Sequence, residues 1–290
     1  MNTPVLFIIF NRPDTTELVL KAIANVKPIK LYIAADGVRE NKQGEKEICE
    51  QTRRIAQNVD WDCEIKTLFQ KENIGCGRAV SQAISWFFEN EEMGIILEDD
   101  CLPHSTFFDF CESMLIKYKD NDKISIISGN NFQKDKKVEN FSYCFSDIIN
   151  MWVWVIWVRS WKDFKLNENE LDKSLILEEI KKRFPEKKLN DYWLKIYERM
   201  EKFEIDTCDY QFYFSQIAKG RVFIDPNVNL VSNIGFNDAG PHTFDKQNPA
   251  ANIPAKAMEF PLKHPTEILA NHDADKFLFD NFLLQKKNLC

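Results

Sequence analysis

The sequence lacks any segment able to cross a membrane. Its longest apolar stretch, MWVWVIWV from Met151, has eight residues, whereas a spanning helix needs about 20. The short apolar run near the N-terminus has no basic region before it and no small-residue cleavage site after it, so it is not a signal peptide. We therefore expect a cytoplasmic protein with no transmembrane segment and at most peripheral membrane contact.

Positive charge is also in short supply. Lys and Arg total 38 against 45 Asp and Glu, which gives a net charge of -7 and a pI near 5.3. Sequence-independent nucleic-acid binding needs a basic surface that displaces counterions from phosphates. We expect no nucleic-acid partner.

Paired cysteine motifs are missing as well. The eight cysteines form no CxxC pair, and their density is low for a disulfide scaffold. We expect reduced thiols packed in the interior, in preference to zinc ligands or disulfide bridges.

The sequence does contain alternating strand-like and helical patterns. β-rich runs such as PVLFIIF, KLYIAA and CEIKTLF are each followed by a helical pattern, and strand starts recur about every 30 residues. This rhythm predicts βαβ units and an α/β fold, with a mostly parallel sheet flanked by helices. Asp14 with Glu17 predicts a capping box for the first helix, and Ser105 predicts the cap of a later one.

We expect one domain over residues 1–290, because no linker or internal repeat divides the chain. Residues 1–100 would form a nucleotide-binding half and residues 101–249 an acceptor and catalytic half with an embellished structure. Residues 250–290 would wrap the domain and end in a helix. The apolar face of that helix, with Phe277, Phe279, Phe282 and Leu283 near Lys276, Lys286 and Lys287, predicts docking on the domain in preference to a membrane.

Polar residues stand at the predicted carboxyl ends of the first four strands. These ends are Asn11-Arg12-Pro13, Asp36-Gly37, Asn73-Ile74-Gly75 and Glu98-Asp99-Asp100. Ligands of open α/β sheets bind beyond the carboxyl ends of the strands. We therefore expect the four polar segments to converge on one site.

The stretch GIILEDDCLP sets three consecutive acids, Glu98 to Asp100, directly after an apolar run. Clustered carboxylates that lose water repel one another unless a cation or basic residue compensates. Mg²⁺ or Mn²⁺ bound by oxygen ligands would supply that compensation. The alternative is a solvated acidic turn without metal.

Several short motifs together resemble one enzyme family. FIIFNRP, IAADG, NIGCGRAVSQAI, LEDDCLP, CDYQF and NIGFNDAGPHT occur in the order and approximate spacing of a bacterial GT-A glycosyltransferase family, the nucleotide-diphospho-sugar transferases. The resemblance covers about residues 4 to 245. The EDD sequence at a strand end is also similar to metal-dependent N-acetylglucosaminyltransferases. The resemblance implies a GT-A, Rossmann-like fold.

The resemblance also implies residue roles. It implies donor-binding roles for eight residues: Asn11, Arg12, Asp36, Asn73, Gly75, Arg78, Glu98 and Asp99. Asp36 would read uracil, although Asp-Gly is also an ordinary turn pair. Asp100 and His242 would bind Mn²⁺ or Mg²⁺, although a lone histidine is more often structural.

The resemblance also implies which residue deprotonates the acceptor and which aromatic residues contact it. Asp209 lies where the family keeps the base that deprotonates the acceptor, with Asp206 as competitor and an N-capping aspartate as the structural alternative. Trp152 and Trp154 would form the acceptor side, or else belong to an aromatic core strand. The residues between these tryptophans and near Cys208 depart from the family pattern, which leaves the acceptor open.

The resemblance implies a transferase that moves a sugar, as a hexosyl- or N-acetylhexosaminyltransferase, from a nucleotide diphosphate to a hydroxyl acceptor. The donor would be a UDP-sugar and the acceptor a glycan, a lipid-linked molecule or another hydroxyl compound, with inversion and a divalent metal. The alternatives are a sugar nucleotidyltransferase and a non-catalytic carbohydrate-binding protein. The sequence has no glycine-rich, lysine-bearing N-terminal loop of the kind that nucleotidyltransferases use on triphosphates.

Overall fold

The computed structural model describes residues 1–133, 140–236 and 251–284. Within them the strands are β1 Val5–Ile9, β2 Lys30–Ala35, β3 Glu64–Phe69, β4 Met93–Glu98, β5 Cys101–Pro103, β6 Ile124–Ile127, β7 Tyr143–Ser146, β8 Val153–Trp157, β9 Val222–Pro226 and β10 Val231–Asn233. The helices are α1 Pro13–Val26, α2 Glu45–Gln57, α3 Cys76–Phe88, α4 Ser105–Lys117, α5 Val158–Lys162, α6 Lys173–Arg183, α7 Lys187–Glu201, α8 Asp209–Ile217 and α9 His272–Leu278. A 3₁₀ turn spans Glu168–Glu170, and a π-helical turn at Phe279–Leu283 follows α9.

The central sheet has the strand order β3-β2-β1-β4-β8-β6-β9-β7. Strands β3, β2, β1 and β4 are mutually parallel, and β6 is parallel to β9. Strand β8 runs antiparallel between β4 and β6, and β7 forms an antiparallel edge. The predicted α/β class with a mostly parallel sheet is confirmed. Strands from both predicted halves share this sheet, because β4 pairs directly with β8.

Helices cover both faces of the sheet, and alternate strand residues point into two cores. Val5 and Phe7 belong to the core that includes side chains of α1, α2 and α4, whereas Leu6 belongs to the core that includes side chains of α3 and of α6 to α8. Strands buried on both faces are continuous apolar runs, which is why PVLFIIF shows no alternation. Burial of each such large side chain contributes about 1.5–3 kcal/mol.

Two helix starts differ from the prediction. Helix α1 begins at Pro13 and its N-cap is Arg12, so Asp14 lies within the first turn and no capping box forms. Proline is favoured at this first position because an N–H there would make no hydrogen bond within the helix, so the absence of one in proline costs nothing. Helix α4 begins at Ser105, and its cap is His104, whose Nδ1 accepts a hydrogen bond from the Thr106 N–H.

The C-terminal helix packs on the domain. Phe279 is fully buried and Phe282 is 3% exposed. The Phe282 ring lies 5.1 Å from that of Phe132, and the Phe279 ring lies 5.3 Å from that of Tyr192. The docking prediction is confirmed for this helix, while Lys286 and Lys287 lie outside the described residues.

Two further findings concern the described residues alone. None of their helices has the length and apolarity needed to cross a membrane. Their seven cysteines are all free thiols, as predicted, and most of them are buried.

Phe203 closes α7 in a backbone conformation that favours glycine. Its N–H donates to the Met200 carbonyl and the Glu204 N–H donates to the Arg199 carbonyl, which is a Schellman motif. The φ angle of Phe203 is 56° and its side chain is 76% exposed. A left-handed conformation costs a residue with a Cβ about 1–2 kcal/mol.

We predict that Phe203→Gly raises the free energy of unfolding by up to about 1 kcal/mol, because relief of strain exceeds the entropy that glycine adds to the unfolded chain. Urea denaturation measures the change. The control is Lys202→Gly, since Lys202 has a φ of -90° and gains nothing from glycine. Equal destabilisation by the two changes would contradict the prediction.

Candidate functional site

The acid cluster lies at the carboxyl end of β4, beside the start of α1. Asp99 and Asp100 are each 4% exposed, and Glu98 is half-buried. Arg12 donates from Nη1 to Asp100 Oδ2 at 2.6 Å and to Asp99 Oδ1 at 3.3 Å. The Phe10 N–H donates to the other Asp99 oxygen at 2.9 Å. The turn into α1 therefore brings one guanidinium to the buried acids.

One arginine does not balance three carboxylates. Burial raises the pKa of Asp99 to about 6, although Arg12 opposes this. Burial also raises the pKa of Glu98 well above its usual value, and the charges of Asp100 and Asp209 raise it further. Nε of Arg12 is buried and has no hydrogen-bond partner among the described residues. The site carries excess negative charge.

The possible metal ligands at this site suit a hard divalent cation, because they are carboxylate oxygens whose negative charge is not balanced. Asp100 Oδ2 already contacts Arg12, so an ion at Asp100 would share or displace that contact. Its predicted partner His242 lies outside the described residues. Gly235, near the end of the described residues 140–236, lies against Asp100: a Cβ on Gly235 would lie 2.2 Å from Asp100 Oδ2, so only glycine fits there.

Asp36 holds the turn that leads from β3 to α3. Its Oδ1 accepts from the N–H groups of Gly37 and Ile74, and its Oδ2 accepts from Asn73 Nδ2 and the Gly75 N–H, at 2.7 to 3.1 Å. A carboxylate has about four acceptor positions, and these bonds occupy them. A direct contact with uracil stays a prediction, and it requires that one of these bonds be exchanged.

Glu45, the first residue of α2, links the neighbouring loops. Its carboxylate accepts from Asn11 Nδ2 at 3.0 Å and from both the backbone and the guanidinium of Arg39. The Arg39 guanidinium also lies over the Phe10 ring, 5.2 Å from its centroid. Glu45 thus fixes Asn11 at the end of β1. Nothing in the local sequence distinguishes Glu45 from an ordinary acid in the first turn of a helix.

Helix α8 brings Asp209 to the same site. Asp209 is the first residue of α8, and it lies close enough to Glu98 to raise the pKa of Glu98. The start of α3 packs against the same segment, because a Cβ on Gly75 would lie 3.7 Å from the Asp206 carboxylate. Cys76, the first residue of α3, is exposed and lies within electrostatic reach of Glu98, Asp209 and Asp206.

Two donor residues predicted from the resemblance lie on the surface around this site. Arg78 is exposed on the first turn of α3, and Asn73 is exposed in the turn before it. Both positions are accessible to a ligand beyond the carboxyl ends of the strands.

The two tryptophans of the aromatic strand differ in accessibility. Trp154 is 1% exposed and its ring packs against Phe212 and Trp161. It belongs to the core, so its assignment to the acceptor side is corrected. Trp152 is half-buried, and its ring lies 5.1 Å from Phe132 and 6.0 Å from Phe236. Trp152 alone of the pair keeps a surface for a ligand.

A second group of possible metal ligands lies apart from the acid cluster. Asp147, His272 and Asp275 offer ligand atoms that all lie within 4.8 Å of one another, and in the described part of the chain no other group of three does so. Burial raises the pKa of Asp275 to about 7. No local motif marks this group, because α9 brings His272 and Asp275 to the end of β7 from more than a hundred residues away.

No protein-family model matches the chain, and no curated protein matches it. Solved structures similar to it include an apo UDP-glucose pyrophosphorylase, at 11% identity and a TM-score of 0.40, over 78% of this chain and 90% of that one. Another is the galactosyltransferase LgtC in complex with donor and acceptor sugar analogs, at 10% identity and a TM-score of 0.40, over 96% and 95%. Mouse xyloside xylosyltransferase 1 in its apo form is 10% identical with a TM-score of 0.34, over 77% and 84%. Similarities this weak assign no function.

Proposed function

We propose that the protein is a GT-A-type glycosyltransferase that moves a sugar from UDP to a hydroxyl acceptor, with inversion and with Mn²⁺ or Mg²⁺. The observation that carries the proposal is the acid cluster with its excess negative charge at the edge where β1 to β4 end, with Asp209 beside it. A divalent cation bound with a diphosphate complements such a site, because the cation supplies the positive charge that both the carboxylates and the diphosphate lack.

Each residue of the site has a separate role in the proposed reaction. Asp209 takes the proton of the acceptor hydroxyl. At the same time the hydroxyl oxygen attacks the anomeric carbon of the sugar and the nucleoside diphosphate departs. Glu98 and Asp99 would lie near the sugar and the ribose of the donor. Asp100, with His242, would hold the metal, which neutralises charge on the leaving diphosphate when bound. Arg12, anchored on Asp99, would orient the diphosphate.

The turn held by Asp36 shapes the nucleotide side. Asn73, Gly75 and Arg78 lie on or just after this turn, and Gly75 has a φ of 85° that a residue with a Cβ rarely adopts. Asn11, fixed by Glu45, would line the same pocket. Trp152 would contact the acceptor with the exposed part of its ring.

The proposal is tested by incubating the purified protein with UDP-glucose, UDP-galactose and UDP-N-acetylglucosamine, with Mn²⁺ or with EDTA, and by measuring UDP release. Metal-dependent release of UDP supports a transferase. A protein that binds carbohydrate without catalysis would release none. Formation of a UDP-sugar from UTP and a sugar 1-phosphate would instead establish the nucleotidyltransferase alternative.

We expect Asp36→Ala to weaken UDP binding about 10- to 150-fold, which corresponds to about 1.5–3 kcal/mol for a hydrogen bond to a charged group. Calorimetry with UDP and with CDP separates the two roles of Asp36. If Asp36 reads uracil, the loss is specific to UDP. A parallel loss for both nucleotides would assign Asp36 to the turn alone, and unchanged binding would remove it from the site.

A further inference from the structure

The C-terminal helix and the end of β7 enclose a second acidic site. Asp147 and Asp275 are 5% and 4% exposed, and His272 is exposed at the first position of α9. Nδ1 of His272 lies 3.9 Å from Asp147 Oδ2. The three residues offer one imidazole nitrogen and two carboxylates to a common centre. They share no residue with the donor site.

Basic side chains do not balance the acids here. Arg183 donates to Asp147 Oδ1 at 2.5 Å, but it also pairs with Glu179 at 3.0 Å. Asp275 accepts only neutral donors in the hydrogen bonds described for it, namely the hydroxyl of Ser146 and the N–H of Asp147. Neutral donors lower the cost of a buried carboxylate but do not cancel its charge.

A third buried acid strengthens the imbalance. Asp225 on β9 is 8% exposed and accepts from Asn150 Nδ2 through Oδ2, while its Oδ1 is buried without a partner among the described residues. Asp225 lies within electrostatic reach of Asp275, whose charge acts on it. A buried acceptor oxygen without a partner is costly in a folded protein. Asp225 therefore adds uncompensated negative charge within electrostatic reach of Asp275.

We propose that Asp147, His272 and Asp275 bind one divalent transition-metal ion, Zn²⁺ or Mn²⁺, which holds α9 against the end of β7. A mixed set of imidazole and carboxylate ligands suits these ions. Metal–ligand bonds of about 2.0–2.2 Å place two ligand atoms at most about 4.4 Å apart. The exposed His272 side chain is free to close the remaining gap.

This ion would stabilise the aromatic contacts beyond α9. The helix leads into the π-helical turn that carries Phe282, whose ring packs on Phe132, and Phe132 packs on Trp152. Metal binding at the start of α9 would therefore support the wall that contains Trp152. A proton shared between the acids is the competing explanation for their burial.

The experiment uses the full chain, stripped with EDTA and dialysed, and adds ZnCl₂ or MnCl₂ without nucleotide. We expect the melting temperature to rise by about 5–10 °C at a metal concentration a hundred times Kd. His272→Ala should abolish this rise and leave the metal-free melting temperature unchanged, because the side chain is exposed. Asp273→Ala, the neighbouring exposed residue of α9, should keep the full rise.

Asp100→Asn distinguishes this site from the donor site. Without nucleotide the donor site lacks the diphosphate oxygens that would complete its set of metal ligands, so this variant should also keep the rise. A rise that survives in His272→Ala and disappears in Asp100→Asn would overturn the proposal. No rise in the wild-type chain would overturn it as well. In that case, an increase in the metal-free melting temperature on Asp275→Asn would show that a proton balances the pocket.

Discussion

Asp209→Asn is expected to lower the rate of sugar transfer by about 10²–10⁴-fold, the range attributed to general-base catalysis. Asparagine has nearly the same shape but cannot accept the proton of the acceptor hydroxyl. Asp209 lies at the first position of α8, where the helix terminus favours an ionised carboxylate. UDP-sugar and metal affinity should stay near wild type, because the donor contacts lie on β1 to β4 and α3.

Asp206→Asn is the matched control. Asp206 is exposed three residues before Asp209 and precedes the helix, so its loss should change transfer little. Donor affinity and transfer rate are measured for both variants, or UDP-sugar hydrolysis until an acceptor is known. Transfer that is intact in the Asp209 variant and lost in the Asp206 variant would reassign the base to Asp206. Loss in neither would leave this segment without a base.

The fold could be predicted well where sequence pattern and burial coincide. Strands β1 to β4 are apolar runs separated by helical patterns of ordinary crossover length, so their parallel order follows from local signals. The position of β8 between β4 and β6 has no such signal. An antiparallel strand can pair with any free strand edge, and the local sequence of β8 does not specify which edge that is. Trp154 shows the same limit: alternation with valine and isoleucine suited both a core strand and a ligand wall.

The site could be predicted only in part for a related reason. The polar ends of β1 to β4 were expected to converge, and Arg12 does contact Asp99 and Asp100. The partners that organise these ends come from distant positions: Glu45 holds Asn11, and Asp36 holds the turn before α3. Such contacts depend on three-dimensional packing, and a sequence pattern of period two or 3.6 does not encode them.

Removal of the Asp100 carboxylate is expected to abolish the effect of divalent metal on UDP binding. In the wild-type protein, we expect Mn²⁺ to strengthen UDP binding at least about tenfold over EDTA, the equivalent of about 1.4 kcal/mol. In Asp100→Asn the two conditions should give the same affinity within about twofold. The physical reason is that the acids at the end of β4 exceed Arg12 in charge, and Asp100 is the acid proposed to hold the metal, which would neutralise charge on the diphosphate.

Calorimetry with UDP, in Mn²⁺ and in EDTA, decides this prediction, and Asp109→Asn serves as the matched control. Asp109 is exposed on α4, so the same chemical change there should preserve the full metal effect. Because Asp100 also pairs with Arg12, its replacement frees that guanidinium for the diphosphate, and UDP binding in EDTA should not fall. Equal UDP affinity in Mn²⁺ and EDTA for the wild-type protein would remove the metal from the donor site.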